Sequence, residues 1–548
     1  MGHTIKIMYL DISLKKISFI IIVTFLLAVC VYSTNTVKMQ YFGSTPFFYT
    51  ITTAAKYAAN SAFATLQRSS LFASTFFTRG NVEAHARGIP VLTYHRIVQN
   101  PNDTENVPLA TFRDQMSTLK KAGWQAVSLE DFEAYIEGKK ELPARSFLMT
   151  FDDGAKESFY PADPILQAFD YHAAIYVIAA SSQIPESTYY LSPQELQWIL
   201  KTGRWSIGSH SNDGHRPYAV DTEGTKGVFF ADRIWMKDEG RLETPDDFTA
   251  RVHADLTKAK ETLESTYKVP VDTFAFPLGN ETGQEGANNF PQGASITEAQ
   301  AHSIYRFGLL QTNNQQFTVN FPTTNMASST DISSATRNML ATNFLVRRIH
   351  VDHDWDGARL LSILENGLMK NLPFEDDFST NTGWITAWGS LDIGRNNFTL
   401  KAADSLGGAS TFLNGSELWD NYAFDATANW QEGSLFVLGD VIHSKTYDAC
   451  VFSPGQVHMI SVTNGQTKTL GSKTNPSIAY GSAVRAGIRV HGSVIECTWN
   501  YSSISESFER THSGGAGLQI WSEVPGIAQL QVTSVIARPL TASTTQPE

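Results

Sequence analysis

Between Ile89 and His350 the chain alternates short apolar runs with longer segments of helical period. The runs are IPVLTYH from Ile89, SFLMTF from Ser146, AAIYVIAA from Ala173, WSIGSH from Trp205, TFAFP from Thr273, YRFGLLQ from Tyr305 and FLVRRIHV from Phe344. Each is a strand by length and β-branched or aromatic content. Between them, TFRDQMSTLKKAGW is a helix with Thr111 as N-cap, and SPQELQWILKTG is a helix capped by Ser192. Over residues 246–267, Phe248, Val252, Leu256, Ala259, Leu263 and Tyr267 fall on one helical face. Such β–α alternation over about 285 residues predicts an α/β fold with a parallel sheet, open or closed into a barrel. Near Pro373 the texture changes to short alternating strands with Gly, Asn and Ser turns, as in SLFVLGDVI, QVHMISVT and VRAGIRVHG. That pattern predicts a separate all-β antiparallel sandwich.

Four polar clusters each follow one of the first set of strands directly. They are Asp152-Asp153-Gly154, His210 to His215, Pro277-Leu278-Gly279 and His350-Val351-Asp352-His353-Asp354. In parallel α/β folds, the loops at the carboxyl ends of strands line the active site. Alone, an Asp-Asp-Gly is a solvated turn or a helix cap, and a loop histidine is simply exposed. Together, one carboxylate and two imidazoles fit a divalent ion with positions left open for water and substrate. A cation would also explain two repelling carboxylates side by side, one neutralised by the ion and the other free to act as a base.

The chain has 548 residues, 42% hydrophobic and 18% charged, enough apolar content for packed cores rather than disorder. Its net charge of −12, with no Lys/Arg cluster, argues against nucleic acid as a partner. Lys15 and Lys16 precede the apolar run Ile17–Ser33. This reads as a signal anchor or a cleaved signal peptide over residues 1–33, and either way the remainder is exported. The anchored reading makes the membrane a partner through this segment. Residues 34–88 read as a membrane-proximal stalk or packing arm, with TAAKYAANSAFATLQ helical, and residues 541–548 as a tail. Of three cysteines, Cys30 lies in the N-terminal run; Cys450 and Cys497 sit in strand-like runs and read first as two separate buried thiols, with a pair in an oxidising compartment as the alternative.

TFDDG, then HSNDGH, FAFPLG and RRIHVDHDW, in this order and after these strands, resemble the polysaccharide deacetylase family with the NodB homology domain. The five-residue spacing of His210 and His215, with YHRI at Tyr94–Ile97 and HVDHDW at His350–Trp355, is similar to the subgroup that deacetylates poly-β-1,6-N-acetylglucosamine in biofilm export. The resemblance covers residues 89–372 and implies a distorted (β/α) barrel of the NodB type. It implies that Asp153, His210 and His215 bind a divalent metal, Zn²⁺ first, with Ni²⁺, Co²⁺ or Fe²⁺ as alternatives. By the same resemblance Asp152 is the general base, His350 the general acid, and Leu278 supplies a backbone N–H to the oxyanion. Leu278 stands where the family usually has Tyr. Ala275 stands nearest to where many members carry an arginine that holds the base, so the orientation of Asp152 has no partner in this reading. Asp352 or Asp354 is expected to hydrogen-bond His350 and keep it protonated. His95 is either close to the site or structural.

The implied activity is a metal-dependent hydrolase that removes N-acetyl groups from an exported or cell-wall amino-sugar polymer. The alternatives are O-deacetylation of another cell-wall glycan, a non-catalytic glycan-binding or export scaffold, or an adhesin driven by the second domain. In the insert GVFFADRIWMKDEGR, aromatic side chains either stack on sugar rings or pack as an ordinary loop, and GNETGQEGANNFPQG reads as a mobile segment. DDFST, LWDNYAFDATANW and GLQIWSEVPGIAQLQVTSVIARPL resemble concanavalin-like or laminin-G-like sandwiches over residues 373–540. Such domains often bind glycans, and Trp419, Trp430, Trp499 and Trp521 are each either core residues or stacking platforms.

Overall fold

The computed structural model describes residues 53, 55–62, 85–101, 103–278, 288–312, 319–322, 344–463, 465–475, 477–481, 483–500, 502–507 and 514–540. Seven parallel strands form the ring of the first unit's nine-stranded sheet, which Gln125–Val127 and Val319–Asn320 complete: β1 (Ile89–Tyr94), β2 (Ser146–Phe151), β3 (Ala173–Val177), β4 (Trp205–Ser209), β5 (Thr273–Ala275), β6 (Phe307–Thr312) and β7 (Leu345–His350). They pair in chain order, and β1 also pairs with both β2 and β7, so the sheet closes on itself as a distorted barrel. β1, β2, β3 and β4 are buried along their whole length. That is what a sheet with side chains on one face and helices on the other requires, and it is why these strands read as unbroken apolar runs.

The helices behave as amphipathic cover. α1 (Leu109–Lys121) begins two residues before the predicted cap: its N-cap is Pro108, with no side-chain bond, and Thr111 lies inside the helix. α2 (Pro193–Lys201) starts at Ser192 as predicted, in a capping box with Glu195. α3 (Pro245–Tyr267) starts from a second such box, Thr244 with Asp247, and buries Phe248, Val252, Leu256, Ala259, Leu263 and Tyr267. From the N-terminal arm, residues 55–62 are helical, and the Tyr57 hydroxyl donates to Asp163 at 2.6 Å.

The second unit stacks an eight-stranded antiparallel sheet on a seven-stranded one. Trp384, Trp430 and Trp499 fill the core between them. Trp419, Trp430 and Trp499 are therefore core residues, whereas Trp521 is 44% exposed. Cys450 on one sheet and Cys497 on the other are bonded as a disulfide, which corrects the expectation of two free thiols. Both side chains point into the same core, and a strand-like run is where a cross-sheet pair meets.

The transmembrane expectation is also corrected: among the described residues no helix is long and apolar enough to cross a membrane. The segment 17–33 that prompted it lies outside those residues, as do the tail at 541–548 and most of GNETGQEGANNFPQG.

The disulfide closes a loop of 47 residues across the two sheets. Replacing both Cys450 and Cys497 by Ala is expected to lower the stability of the sandwich by roughly 2–4 kcal/mol, through the entropy regained by the unfolded chain. Denaturant titration of the full chain, wild type against the double variant, measures it.

Candidate active site

β2 ends in two carboxylates, and the backbone sends them in opposite directions. Asp153 takes φ 70° and Gly154 φ 72°. Asp tolerates this left-handed region better than most residues. At Gly154 a Cβ would lie 2.8 Å from Val177, so only glycine fits. The reversal leaves Asp152 facing into the barrel and turns Asp153 toward the loop after β4.

Asp152 is 2% exposed and is held by Arg348 of β7, which is completely buried. Arg348 Nη1 donates to Oδ1 at 2.6 Å and Nη2 to Oδ2 at 2.8 Å, a two-pronged pair. Burial by itself would raise the Asp152 pKa. The Arg348 guanidinium, and then His210, outweigh it and hold the carboxyl well below the usual carboxylate range. Sequence reasoning looked for this arginine near Ala275 and did not find it; it arrives from a strand 196 residues away. The available signal was an arginine inside an apolar strand, two residues before His350 and so on the same face as it.

Asp153 Oδ1 lies 3.3 Å from His215 Nε2 and 3.6 Å from His210 Nε2. One ligand atom from each of the three residues falls within 4.8 Å of the others. His210 Nδ1 lies 2.8 Å from the Ala275 carbonyl, which can only accept, so Nδ1 carries the proton and the Nε2 lone pair is free. Burial lowers the His210 pKa to about 4, which keeps the ring neutral, the form that binds metal. Asp153 Oδ1 is buried without a hydrogen-bond partner. A carboxylate oxygen left bare between two imidazole lone pairs fits a divalent ion, and these three residues could hold one.

The loop that separates the two histidines is strapped by Asp255 of α3. Its carboxylate accepts from the Asn212 and Asp213 N–H groups at 2.9 and 3.0 Å. A Cβ at Gly214 would strike the rings of Phe230 and Phe229 at 2.7 and 2.8 Å. Phe229 and Phe230 are buried, so these insert aromatics support the loop as ordinary packing. Exposed aromatic surface near the site comes instead from Tyr189, with Arg96 over its ring at 5.5 Å. Burial first, then the negative charge of Asp153, pushes the Tyr189 hydroxyl up to about 12.

His350 ends β7. Its Nδ1 lies 3.2 Å from Asp352 Oδ1, and its Nε2 is buried without a partner. Asp354 pairs with Arg359 instead, at 3.5 Å. Asp352 favours the charged ring, but burial and the neighbouring His95 prevail, and the His350 pKa is lowered. The expectation that His350 is kept protonated is corrected on this point. His95 stands 5.7 Å from His350, ring to ring, so it belongs to the same cluster. Leu278 sits on the rim after β5, at φ 60° and 38% exposed, three residues beyond the carbonyl that orients His210.

A closed α/β barrel with an Asp–His–His cluster at the carboxyl ends of its strands defines a class, a metal-dependent hydrolase domain. Residues 139–287 match the family described as polysaccharide deacetylase. The chain is 23% identical over 210 residues to the poly-β-1,6-N-acetyl-D-glucosamine N-deacetylase of Escherichia coli K12, covering 36% of this chain and 31% of the relative. It is 24% identical over 178 residues to the Staphylococcus aureus MRSA252 protein of the same name, covering 32% and 54%. The chain thus matches about a third and about half the length of these relatives. Among solved structures, a de-N-acetylase from Aggregatibacter actinomycetemcomitans superimposes with a TM-score of 0.40 at 15% identity, covering 50% of this chain and 99% of that one.

Because Arg348 is the direct counter-charge of a buried carboxylate, Arg348→Met is expected to cost roughly 3–5 kcal/mol of stability, and Asp152→Asn in the same chain to recover part of it. The Asp152 pKa is depressed, so the pair's contribution is complete above the ordinary carboxylate range and is lost only as pH falls well below it. Denaturant titrations of the single and double variants at pH 7 check the first statement, and their repetition from about pH 5 down to about pH 2 checks the second.

Proposed function

We propose that the chain is an exported metal-dependent hydrolase that removes N-acetyl groups from an amino-sugar polysaccharide of the poly-N-acetylglucosamine kind. Residues 89–372 are the catalytic domain and 373–540 an accessory sandwich. The observation that carries the reading is the division of labour between adjacent aspartates, with Asp152 drawn in to Arg348 and Asp153 turned out to two imidazoles. The substrate class rests on the names of the relatives. The disulfide supports export to an oxidising compartment.

A divalent ion held by Asp153, His210 and His215, with Zn²⁺ the first choice, supplies Lewis acidity toward an acyl carbonyl and brings the pKa of a water to about 7. The chain's own groups do the rest. Asp152, ionised throughout the working range, takes the proton of the attacking water. Arg348 also weakens Asp152 as a base, so its contribution is orientation. The Leu278 N–H is the oxyanion donor, a type of contact whose loss typically costs roughly 10²–10³ in rate. A departing amide nitrogen must gain a proton as its C–N bond breaks, and His350 is the group that gives it.

Asp152→Asn is expected to reduce amine release from acetylated glucosamine polymers by about 10²–10⁴-fold. Unchanged turnover would overturn the base assignment, and acetate release without amine release would assign an ester substrate. Burial and the neighbouring His95 lower the His350 pKa, so the alkaline limb of kcat/KM is expected at lower pH than an ordinary histidine acid would give. The negative charge of Asp352 raises this pKa, so Asp352→Asn is expected to move the limb to lower pH. A pH–rate profile of both proteins measures the direction, and an unmoved limb would separate Asp352 from the acid.

A further inference from the structure

Far from the metal cluster, one end of the sandwich exposes an apolar surface. Strand Gly515–Trp521 begins beside Ser416, where the Ala516 N–H donates to Ser416 Oγ at 3.0 Å. This is the end that meets the barrel, since the Lys370 N–H bonds the Gly415 carbonyl. The strand reaches Trp521 about 20 Å further on, at the opposite end. There Trp521 stands against Trp388, ring centroids 5.9 Å apart and 76° between planes. A Cβ on Gly407 would lie 2.9 Å from the indole of Trp521, so glycine leaves room for the ring. Leu406, Val524 and Ile527 are exposed as well, and the backbone ties their loops into one surface: Ser522 N–H to the Gly407 carbonyl at 2.7 Å, Gly526 N–H to the Leu406 carbonyl at 3.0 Å.

Acids outnumber cations on the rim of this surface: three carboxylates frame it, and one exposed lysine, Lys401, adjoins it through its pairing with Gln529 and Ser390. Asp404, Glu432 and Glu523 are exposed on the three loops that frame it. Asp404 packs against Gly526, and Gly433, next to Glu432, packs against the Trp521 carbonyl. Residues 402–408, 431–434 and 521–529 contain no Lys or Arg. An indole pair attracts flat apolar ring faces, and attracts a cation above its own face. Carboxylates around it favour a partner that carries positive charge. A fully N-acetylated glycan has none, whereas a de-N-acetylated one has an ammonium group on each freed sugar.

We propose that this end of the sandwich binds the cationic, partly de-N-acetylated amino-sugar chain, the product of the barrel rather than its substrate. Pyranose faces stack on Trp521 and Trp388 while ammonium groups meet Asp404, Glu432 and Glu523. The inference rests on the reading of the barrel as an enzyme that releases sugar amines.

The test is binding of the full chain to a β-linked glucosamine hexamer, its fully N-acetylated counterpart and a neutral β-glucan hexamer, by calorimetry. The expected order is strong preference for the glucosamine hexamer, lost when the pH is raised until its amines are neutral. Trp521→Ala weakens that binding at least tenfold and Trp521→Phe retains most of it. Glu432→Gln with Glu523→Gln, which removes charge and leaves the fold's apolar contacts, weakens it several-fold and flattens its salt dependence. Equal binding of all three hexamers, or wild-type affinity in Trp521→Ala, overturns the inference. If the chain releases amines from acetylated polymer yet fails these binding tests, the inference alone falls. If it binds the hexamer through Trp521 but releases no amine from any acetylated sugar, the surface stands and the proposed activity falls.

Discussion

The site depends on how two adjacent negative charges are kept apart. At about 5 Å and an effective dielectric near 20, two carboxylates repel by roughly 3 kcal/mol, enough to raise the pKa of one by about two units. The chain avoids this by a backbone reversal at Asp153 and Gly154, which points the two groups in opposite directions. Each then has its own counter-charge. Asp152 has Arg348 on both oxygens. Asp153 has a bare oxygen, the free Nε2 of His210 and the His215 ring gathered where a cation could sit. Neither solution works without the closed barrel, because β7 carries Arg348 and pairs with β1, which in turn pairs with β2.

The same closure places the remaining groups. His210 follows β4 and is oriented by a carbonyl at the end of β5. His350 ends β7 beside His95, which follows β1. Asp255, on the long helix α3, fixes the loop that brings His215 back. The rim is therefore assembled from strand ends, whose positions the sheet determines, and from one loop held by a helix.

Much of this was legible in the sequence. Strand ends followed by Asp-Asp-Gly, a histidine pair and His350 could be read because apolar runs mark strands and polar clusters mark their mouths. The parallel α/β sheet and the sandwich were legible for the same reason, as was the buried face of α3, whereas closure into a barrel came from the family resemblance. Arg348 was not, because Arg347 and Arg348 stand side by side, and only strand alternation, which puts Arg348 on the face of His350, separates them. Asp255 lies among the buried residues of α3, but its partners, the Asn212 and Asp213 N–H groups, come from a loop over forty residues earlier. The cysteine pairing depends on two sheets facing each other, and strand patterns carry no information on that register. The His350 pKa turned on burial and on His95, both tertiary facts, while the sequence displayed only the nearby aspartates. Among four tryptophans, exposure separated Trp521 from the three in the core.

The proposed chemistry depends on a cation that Asp153, His210 and His215 could hold. The direct measurement is the metal content of the purified full chain after Zn²⁺ loading and exhaustive dialysis, alongside Asp153→Asn and His210→Ala. The account predicts about one tightly held ion per wild-type chain, lost in both variants while their folded spectra are retained. A wild-type chain that retains no ion, or variants that keep it undiminished, would contradict it.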